Sequence, residues 1–247
     1  MISSAIERRR IAKQPGAVEC VACGGTGEAS KGGECVPCKG TGSIQTDLRG
    51  KGAGPIVQHS SESAEHYTPS PIVEAARSVL GAIDLDPASC SLANEVVRAA
   101  AFYGPGGLAP DGLAEPWIGR VFLNPPGGNV PDEYKGCGTK SNAALWWATL
   151  AEAWRTGEVE SAIFVGFMLE VLRSAQGLDV PQPIDFPLCV PSNRIAFDKP
   201  VDGVRVGSKQ PSHVNVIVFL PPKIELYRTK TVAQFGRTFG AFGRCRV

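Results

Sequence analysis

The chain has 247 residues, a formal net charge of +1, and 43% hydrophobic against 20% charged residues. That length suits one sizeable domain with a small appendage, and the composition is that of a globular protein with an ordinary core. The near-neutral charge excludes a strong overall attraction to nucleic acid, so any basic surface is local. No apolar run approaches the roughly 18 residues that span a bilayer.

The first residues, "MISSAIERRRIAKQPG", carry Arg8, Arg9, Arg10 and Lys13 but no apolar segment of a secretory signal, so a cytoplasmic address is expected. Residues 1–17 read as a basic tail, either solvated or touching phosphates. Immediately after it comes a short internal repeat. "CVACGGTG" and "CVPCKGTG" place Cys20, Cys23, Cys35 and Cys38 in two C-x-x-C-x-G-x-G copies. Two such pairs without a secretory signal point to a tetrathiolate site, with structural Zn2+ as the expected ion; a redox dithiol or unliganded thiols are the alternatives. Gly25, Gly27, Gly40 and Gly42 would let the backbone close behind the sulfurs, and the intervening "GGTGEASKGGE" is too polar to build a core. The repeat resembles the zinc module of DnaJ-type chaperones over about residues 18–44, with only two copies where those proteins carry several and nothing else of such a chaperone. Residues 45–65, rich in Gly, Ser and charge, read as a linker.

From residue 66 the texture changes to that of an α/β domain running to residue 247. "TPSPIVEAARSVLG" predicts a helix whose apolar residues Ile72, Val73, Ala76, Val79 and Leu80 share one face and which ends at Gly81. "AIDLD" predicts a short buried strand closing on Asp84 and Asp86, and "SLANEVVRAAAF" a helix. "GRVFLN" predicts a second buried strand, "SNAALWWATLAEAWRTG" a long helix, and "SAIFVGF" a third strand. "RIAF" and "HVNVIVFLP" read as later strands, and "FGRTFGAFGRCRV" as a basic end that interleaves Arg237, Arg244 and Arg246 with phenylalanines. Alternating strands and helices imply a mostly parallel sheet, in which ligands sit beyond the C-terminal strand ends. "DLDPAS" and "NPPGG" both fall at such ends.

Asn124-Pro125-Pro126 suits methyl transfer to an exocyclic or amide nitrogen. Such a nitrogen is a poor nucleophile because its lone pair is delocalised. An acceptor pair, the side-chain oxygen of Asn124 and the carbonyl of Pro125, would hold the amino hydrogens and turn the lone pair outward. The prolines would fix that turn in advance. The bland alternative is a strand that simply ends at Asn-Pro-Pro.

In order, "HYTPSP", "AIDLDPAS", "DGLAEPW", "RVFLNPPGG" and "ALWWATLAEAW" resemble the phage-type DNA N6-adenine methyltransferases, class I enzymes with a Rossmann-like sheet flanked by helices on both faces. The likeness runs from about His66 to Pro221. It implies S-adenosylmethionine as cofactor, DNA as partner, and a phage or prophage origin. Thr68 and Pro69 would meet the methionine end of the cofactor. Asp84 or Asp86 would bind its amino or ribose groups. Asp111 would accept from its adenine amino group, with Leu113 and Trp117 as apolar neighbours. Asn124, Pro125 and Pro126 would be catalytic, and Arg194 would meet a phosphate or make a structural salt bridge.

Two departures stand out. "DPASCSLAN" lacks a glycine-rich loop, so contacts there would come from Ala88, Ser89 or nearby backbone. The family's aromatic residue after Asn-Pro-Pro is Gly127 here, so the target base needs another ring. Tyr134 is the first candidate, with Trp146 and Trp147 as alternatives. His59, His66 and His213 are isolated, and Cys137 has no companion that would make it a nucleophile. RNA adenine, cytosine N4 or a protein glutamine amide are alternative targets, and a non-catalytic binding module is the alternative of a different class.

Overall fold

A computed structural model describes residues 17–19, 26, 28, 43–45, 66–139, 141–166, 169–207 and 214–247. The expected cysteine ligands, the linker, His59 and His213 lie outside these residues. The first strands, β1 (Ala17–Glu19) and β2 (Ser43–Gln45), pair antiparallel, with Ala17 opposite Gln45 and Glu19 opposite Ser43. They stand on either side of the cysteine repeat.

Helix α1 (Ser70–Leu80) starts at Pro69, with a second proline in its first turn, where no intrahelical N–H is lost. It ends at Gly81, whose φ of 84° suits glycine, with the Gly81 N–H bonded to the Arg77 carbonyl. Strand β3 (Leu85–Asp86) follows, then α2 (Ser91–Val97). This helix is shorter than its apolar pattern predicts. Arg98 turns into the left-handed region, and the Asn94 side chain accepts from Ala99 N and donates to Ala99 O, taking over the bonds that would extend the helix. The released residues Ala101–Phe102 form β4 beside β3.

Strand β5 (Gly119–Leu123), helix α3 (Asn142–Thr156) and strand β6 (Val159–Gly166) form as the sequence predicts. After a short helix α4 (Glu170–Ser174) comes β7 (Leu188–Pro191). "RIAF" forms no strand, and its Ile195 N–H is bonded to the side chain of Asn215. A hairpin follows, β8 (Asp198–Val201) and β9 (Val204–Gly207), turning on Asp202 and Gly203 at φ of 51° and 75°. Strand β10 (Val216–Leu220), helix α5 (Glu225–Phe239) and β11 (Gly243–Arg246) complete the chain.

The central sheet has seven strands in the order β11-β7-β10-β6-β5-β3-β4. Strands β4, β3, β5, β6 and β7 share one direction; β10 and β11 run against them. The α/β class with a mostly parallel sheet therefore stands, and it is compatible with a Rossmann-like arrangement. Alternate residues of the central strands enter opposite cores, as period-2 geometry requires. Val121, Leu123, Phe164 and Val218 face α3, while Phe122, Ile163, Ile217 and Phe219 face α1 and α5. Phe235 and Phe239, one helical turn apart, are fully buried on α5, and Phe235 stacks on Phe219 at 5.4 Å. Two phenylalanines of the basic C-terminal stretch are thus core residues and the third, Phe242, packs partly buried against them, whereas Arg237, Arg244 and Arg246 are exposed. Among the described residues no helix is long and apolar enough to cross a membrane.

Trp147 is fully buried on the α3 side. It meets Phe164 and Phe186 edge-on at 5.3 and 5.8 Å, and its Nε1 donates to the Pro181 carbonyl at 2.9 Å. We expect Trp147→Ala to lower the unfolding free energy by about 3–5 kcal/mol, read from urea titration, through the lost apolar burial and an orphaned carbonyl.

Candidate functional site

The path of the chain through the sheet makes the site. From β3 it moves outward to β4, then returns across β3 to β5 and on to β6, so consecutive crossovers leave β3 and β5 in opposite senses. Loops diverge at such a switch point and leave a crevice above the C-terminal strand ends. Asp86 ends β3 and Asn124 follows the last residue of the neighbouring β5.

Asp86 is 3% exposed; its Oδ1 accepts from Ala88 N at 3.2 Å. Burial pushes its carboxyl up to about 7, against the opposing pull of Ser89 and the Ala88 N–H. Asp84, two residues earlier and ahead of the strand, sits at the opposite edge. Arg120 grips it with Nε and a terminal nitrogen at 2.7 Å each and with its backbone N–H at 2.9 Å, and holds its carboxyl below the usual range. Of the two acids expected at the cofactor, the structure brings only Asp86 to the crevice.

Asn124 donates from Nδ2 to the His66 carbonyl at 2.6 Å. A carbonyl only accepts, so this bond fixes the amide with Oδ1 on its other side. Oδ1 is buried without a partner. Pro125 is buried and Pro126 exposed. The turn is held from behind by Asn142, the first residue of α3, whose Nδ2 donates to the carbonyls of Pro126 at 3.0 Å and Gly127 at 3.4 Å. Asn142 is a site residue the sequence reading did not single out. Its signal was an asparagine one place past the helix cap, a place where no intrahelical role demands it.

Thr68 is 3% exposed, next to the α1 cap Pro69, and its Oγ1 is also buried without a partner. Asp111 caps a turn of 3-10 helix at Gly112–Ala114: its Oδ1 accepts from Leu113 N at 2.9 Å and its Oδ2 from the Tyr134 hydroxyl at 2.6 Å. That turn lies close on the loop after β3, since a Cβ on Gly112 would sit 1.9 Å from the Pro87 carbonyl oxygen and 3.4 Å from the Trp146 ring. Leu113 is buried, Trp117 donates to the Gly112 carbonyl at 2.7 Å, and its ring lies 5.7 Å from that of Trp146.

The aromatic candidates for holding a target base fare differently from expectation. Tyr134 is 7% exposed, and burial together with the Asp111 carboxylate pushes its phenol well up; it braces Asp111 rather than offering a face. Trp147 is core. Trp146 lies against the Asp111 turn, with Nε1 buried and unpartnered. Arg194 is exposed in the segment after β7, on the same edge of the sheet but three strands from β5.

Buried polar atoms without partners are uncommon in folded proteins. Within the described residues Thr68 Oγ1, Ser89 Oγ, Asn124 Oδ1, Asn142 Oδ1 and Trp146 Nε1 belong to the loops and helix start of this one edge, while Arg77 and Gln182 carry one such atom each elsewhere. The edge therefore presents mainly acceptors, a buried acid and a close-packed glycine turn, which suits a polar ligand with N–H donors. Among the described residues there is no cluster of three or more metal-ligating side chains. Comparison with protein-family models, curated proteins and solved structures yields no match, which leaves the chain's own residues to carry the chemistry.

Asp86 gives a pH test with a definite sign. Its folded value lies above the unfolded 3.8, so the folded state keeps a proton that the unfolded state loses as pH rises. Stability should be full below about pH 4, fall by a few kcal/mol as pH rises toward 7, and level off above. Denaturant midpoints at pH 5 and 8 should show the fall, and Asp86→Asn should flatten it.

Proposed function

We propose that this protein is an S-adenosylmethionine-dependent methyltransferase acting on an amino nitrogen, with N6 of adenine in DNA as its substrate. The observation that carries the reading is the Asn124 amide: its nitrogen is committed to a backbone carbonyl and its oxygen is left buried and vacant beside a proline-fixed turn. Such an acceptor has little structural use, and it is what an N–H2 group would need. The Rossmann-like topology, the switch-point crevice and the ordered motifs from His66 to Pro221 support the same reading.

The residues fit the cofactor. Asp86, ionised above about pH 7, suits a cationic amino group or a ribose hydroxyl, and the vacant Thr68 Oγ1 suits the methionine end. The Asp111 turn, with Leu113 and the Trp117–Trp146 pair, offers apolar walls and a carboxylate for the adenine end. Bound S-adenosylmethionine would supply an electrophilic methyl on a positively charged sulfur, which leaves as a neutral thioether. The chain's part is to hold the target. Asn124 Oδ1 and the Pro125 carbonyl accept the two amino hydrogens, draw the nitrogen toward a tetrahedral shape and aim its lone pair. No side chain is needed as a strong base, because the nitrogen becomes acidic once methylated and sheds its proton. Burial of Tyr134 means the base is gripped by this pair and the surrounding loops more than by a stacking ring. Cys20, Cys23, Cys35 and Cys38 would hold one structural zinc in a module that helps to hold DNA.

Asn124→Ala should keep the fold and the S-adenosylmethionine affinity measured by calorimetry while abolishing methyl transfer; unchanged turnover refutes the mechanism. Mass spectrometry of nucleosides from expressing cells should show N6-methyladenine. N4-methylcytosine, methylated RNA or a methylated glutamine amide would keep the chemistry and change the substrate. A lack of affinity for S-adenosylmethionine would leave a binding module instead. Metal analysis should find about one zinc per chain, lost in Cys20→Ser.

A further inference from the structure

An asparagine side chain presents either an oxygen or an NH2 at one place, and only the oxygen accepts amine hydrogens. Here the choice is made by the His66 carbonyl, and that carbonyl belongs to a short strap ahead of α1. We infer that Arg205, on the β8–β9 hairpin, is a positioning residue for the site, acting through this strap on the Asn124 amide. The inference rests on the amino-methylation reading above.

The strap is fastened from both sides by one hairpin. Tyr67 N–H donates to Asp198 O at 2.8 Å, and Asp198 N–H to Tyr67 O at 2.9 Å, an isolated antiparallel bridge. Arg205 reaches across from β9. One terminal nitrogen donates to the Thr68 carbonyl at 2.8 Å and to Asp198 Oδ2 at 2.8 Å, and Nε also donates to Asp198 Oδ2 at 3.2 Å. The other terminal nitrogen donates to Ala93 O of α2 at 3.4 Å, and the guanidinium lies 5.4 Å from the centre of the Tyr67 ring. The Arg205 side chain is 11% exposed.

A solvent-exposed ion pair would matter little. This guanidinium is enclosed, and its fork spans a carboxylate and two backbone carbonyls on separate elements, a geometry an ammonium does not reproduce. What it fixes is the path of residues 66–68. Along that path lie the carbonyl that orients Asn124 and the vacant hydroxyl of Thr68, so one side chain sets both acceptors. Arg205 touches neither reacting partner. The exposed face of the same hairpin, with Val201, Val204 and Val206, is on the other side of the ribbon from Arg205, as the pairing of Pro200 with Arg205 and of Val201 with Val204 requires.

The test uses the full chain with Arg205→Met, Arg205→Lys and Asp198→Asn. Methylation is followed on genomic DNA lacking adenine methylation, and the Asn124 side-chain N–H2 by 15N–1H NMR, its signal identified by loss in Asn124→Ala. In Arg205→Met, kcat should fall on the order of 10²-fold from misplacement of the acceptor. The KM for S-adenosylmethionine should rise, the KM for DNA should stay unchanged, and protection of the Asn124 amide from exchange should be lost. Arg205→Lys should recover part of kcat. Asp198→Asn, which keeps volume and the backbone bridge, should shift the same readings in the same direction and serves if Arg205→Met does not fold. A folded Arg205→Met or Asp198→Asn with wild-type kcat and an unchanged Asn124 amide overturns the inference. If the wild type transfers no methyl group yet Asn124 loses protection in Arg205→Met, the strap stands and the methylation reading falls.

Discussion

The parallel pairing of β3 with β5, registered Leu85 against Val121, is the constraint on which the site depends. Because the two strands run together, Asp86 and Asn124 leave the sheet at the same edge. Because the chain has gone out to β4 in between, their loops part and leave room. Had β5 paired antiparallel, Asn124 would emerge at the far edge, beside Asp84. Both faces of the paired strands are buried, with Phe122 on one side and Val121 and Leu123 on the other, so a slip of one residue would exchange the two cores. The register is therefore held by the whole core rather than by the few bonds of a two-residue strand.

Around that edge the chain concentrates a cost that is sparse elsewhere among the described residues. Each buried polar atom left without a partner costs about 1–3 kcal/mol, and a buried carboxyl raised to about 7 adds its own penalty at neutral pH. Five such atoms and one buried acid at a single edge are poor value for stability alone. They are consistent with residues kept for a ligand that supplies the missing donors. Behind them the fold is braced: Asn142 Nδ2 holds the Pro-Pro turn, Leu113 and Tyr134 each donate to Asp111, and Arg205 fastens the strap. Rigid support behind and vacant groups in front is the arrangement of a preorganised site.

Much of this was legible in the sequence, for stated reasons. The helix at 70–80, the strands at 119–123 and 216–220 and the clustering of acids and Asn-Pro-Pro at strand ends followed from periodicity and from proline and glycine chemistry. Residues 98–102 did not, because a single Asn94 side chain competes with the helix and no apolar pattern records it. Asp84 precedes the two-residue strand and Asp86 ends it, so they meet different edges and partners, yet their sequence context is the same; the Arg120 contact separates them. The β8–β9 hairpin did carry its signal, Asp-Gly between valines, but the apolar reading passed over it. Tyr134 looked like a loop ring because its partner Asp111 is 23 positions away, beyond any local pattern.

The strap bears on how the protein is made. Thr68 and Arg205 are 137 positions apart, so their bond closes most of the domain into one loop. Contacts of that span form late, since the entropy of closing the loop must be met before the contact contributes. During synthesis the Asn-Pro-Pro turn leaves the ribosome well before the hairpin that sets its amide. A nascent or truncated chain thus carries the motif without its orientation, and the Asn124 amide is set only in the completed fold.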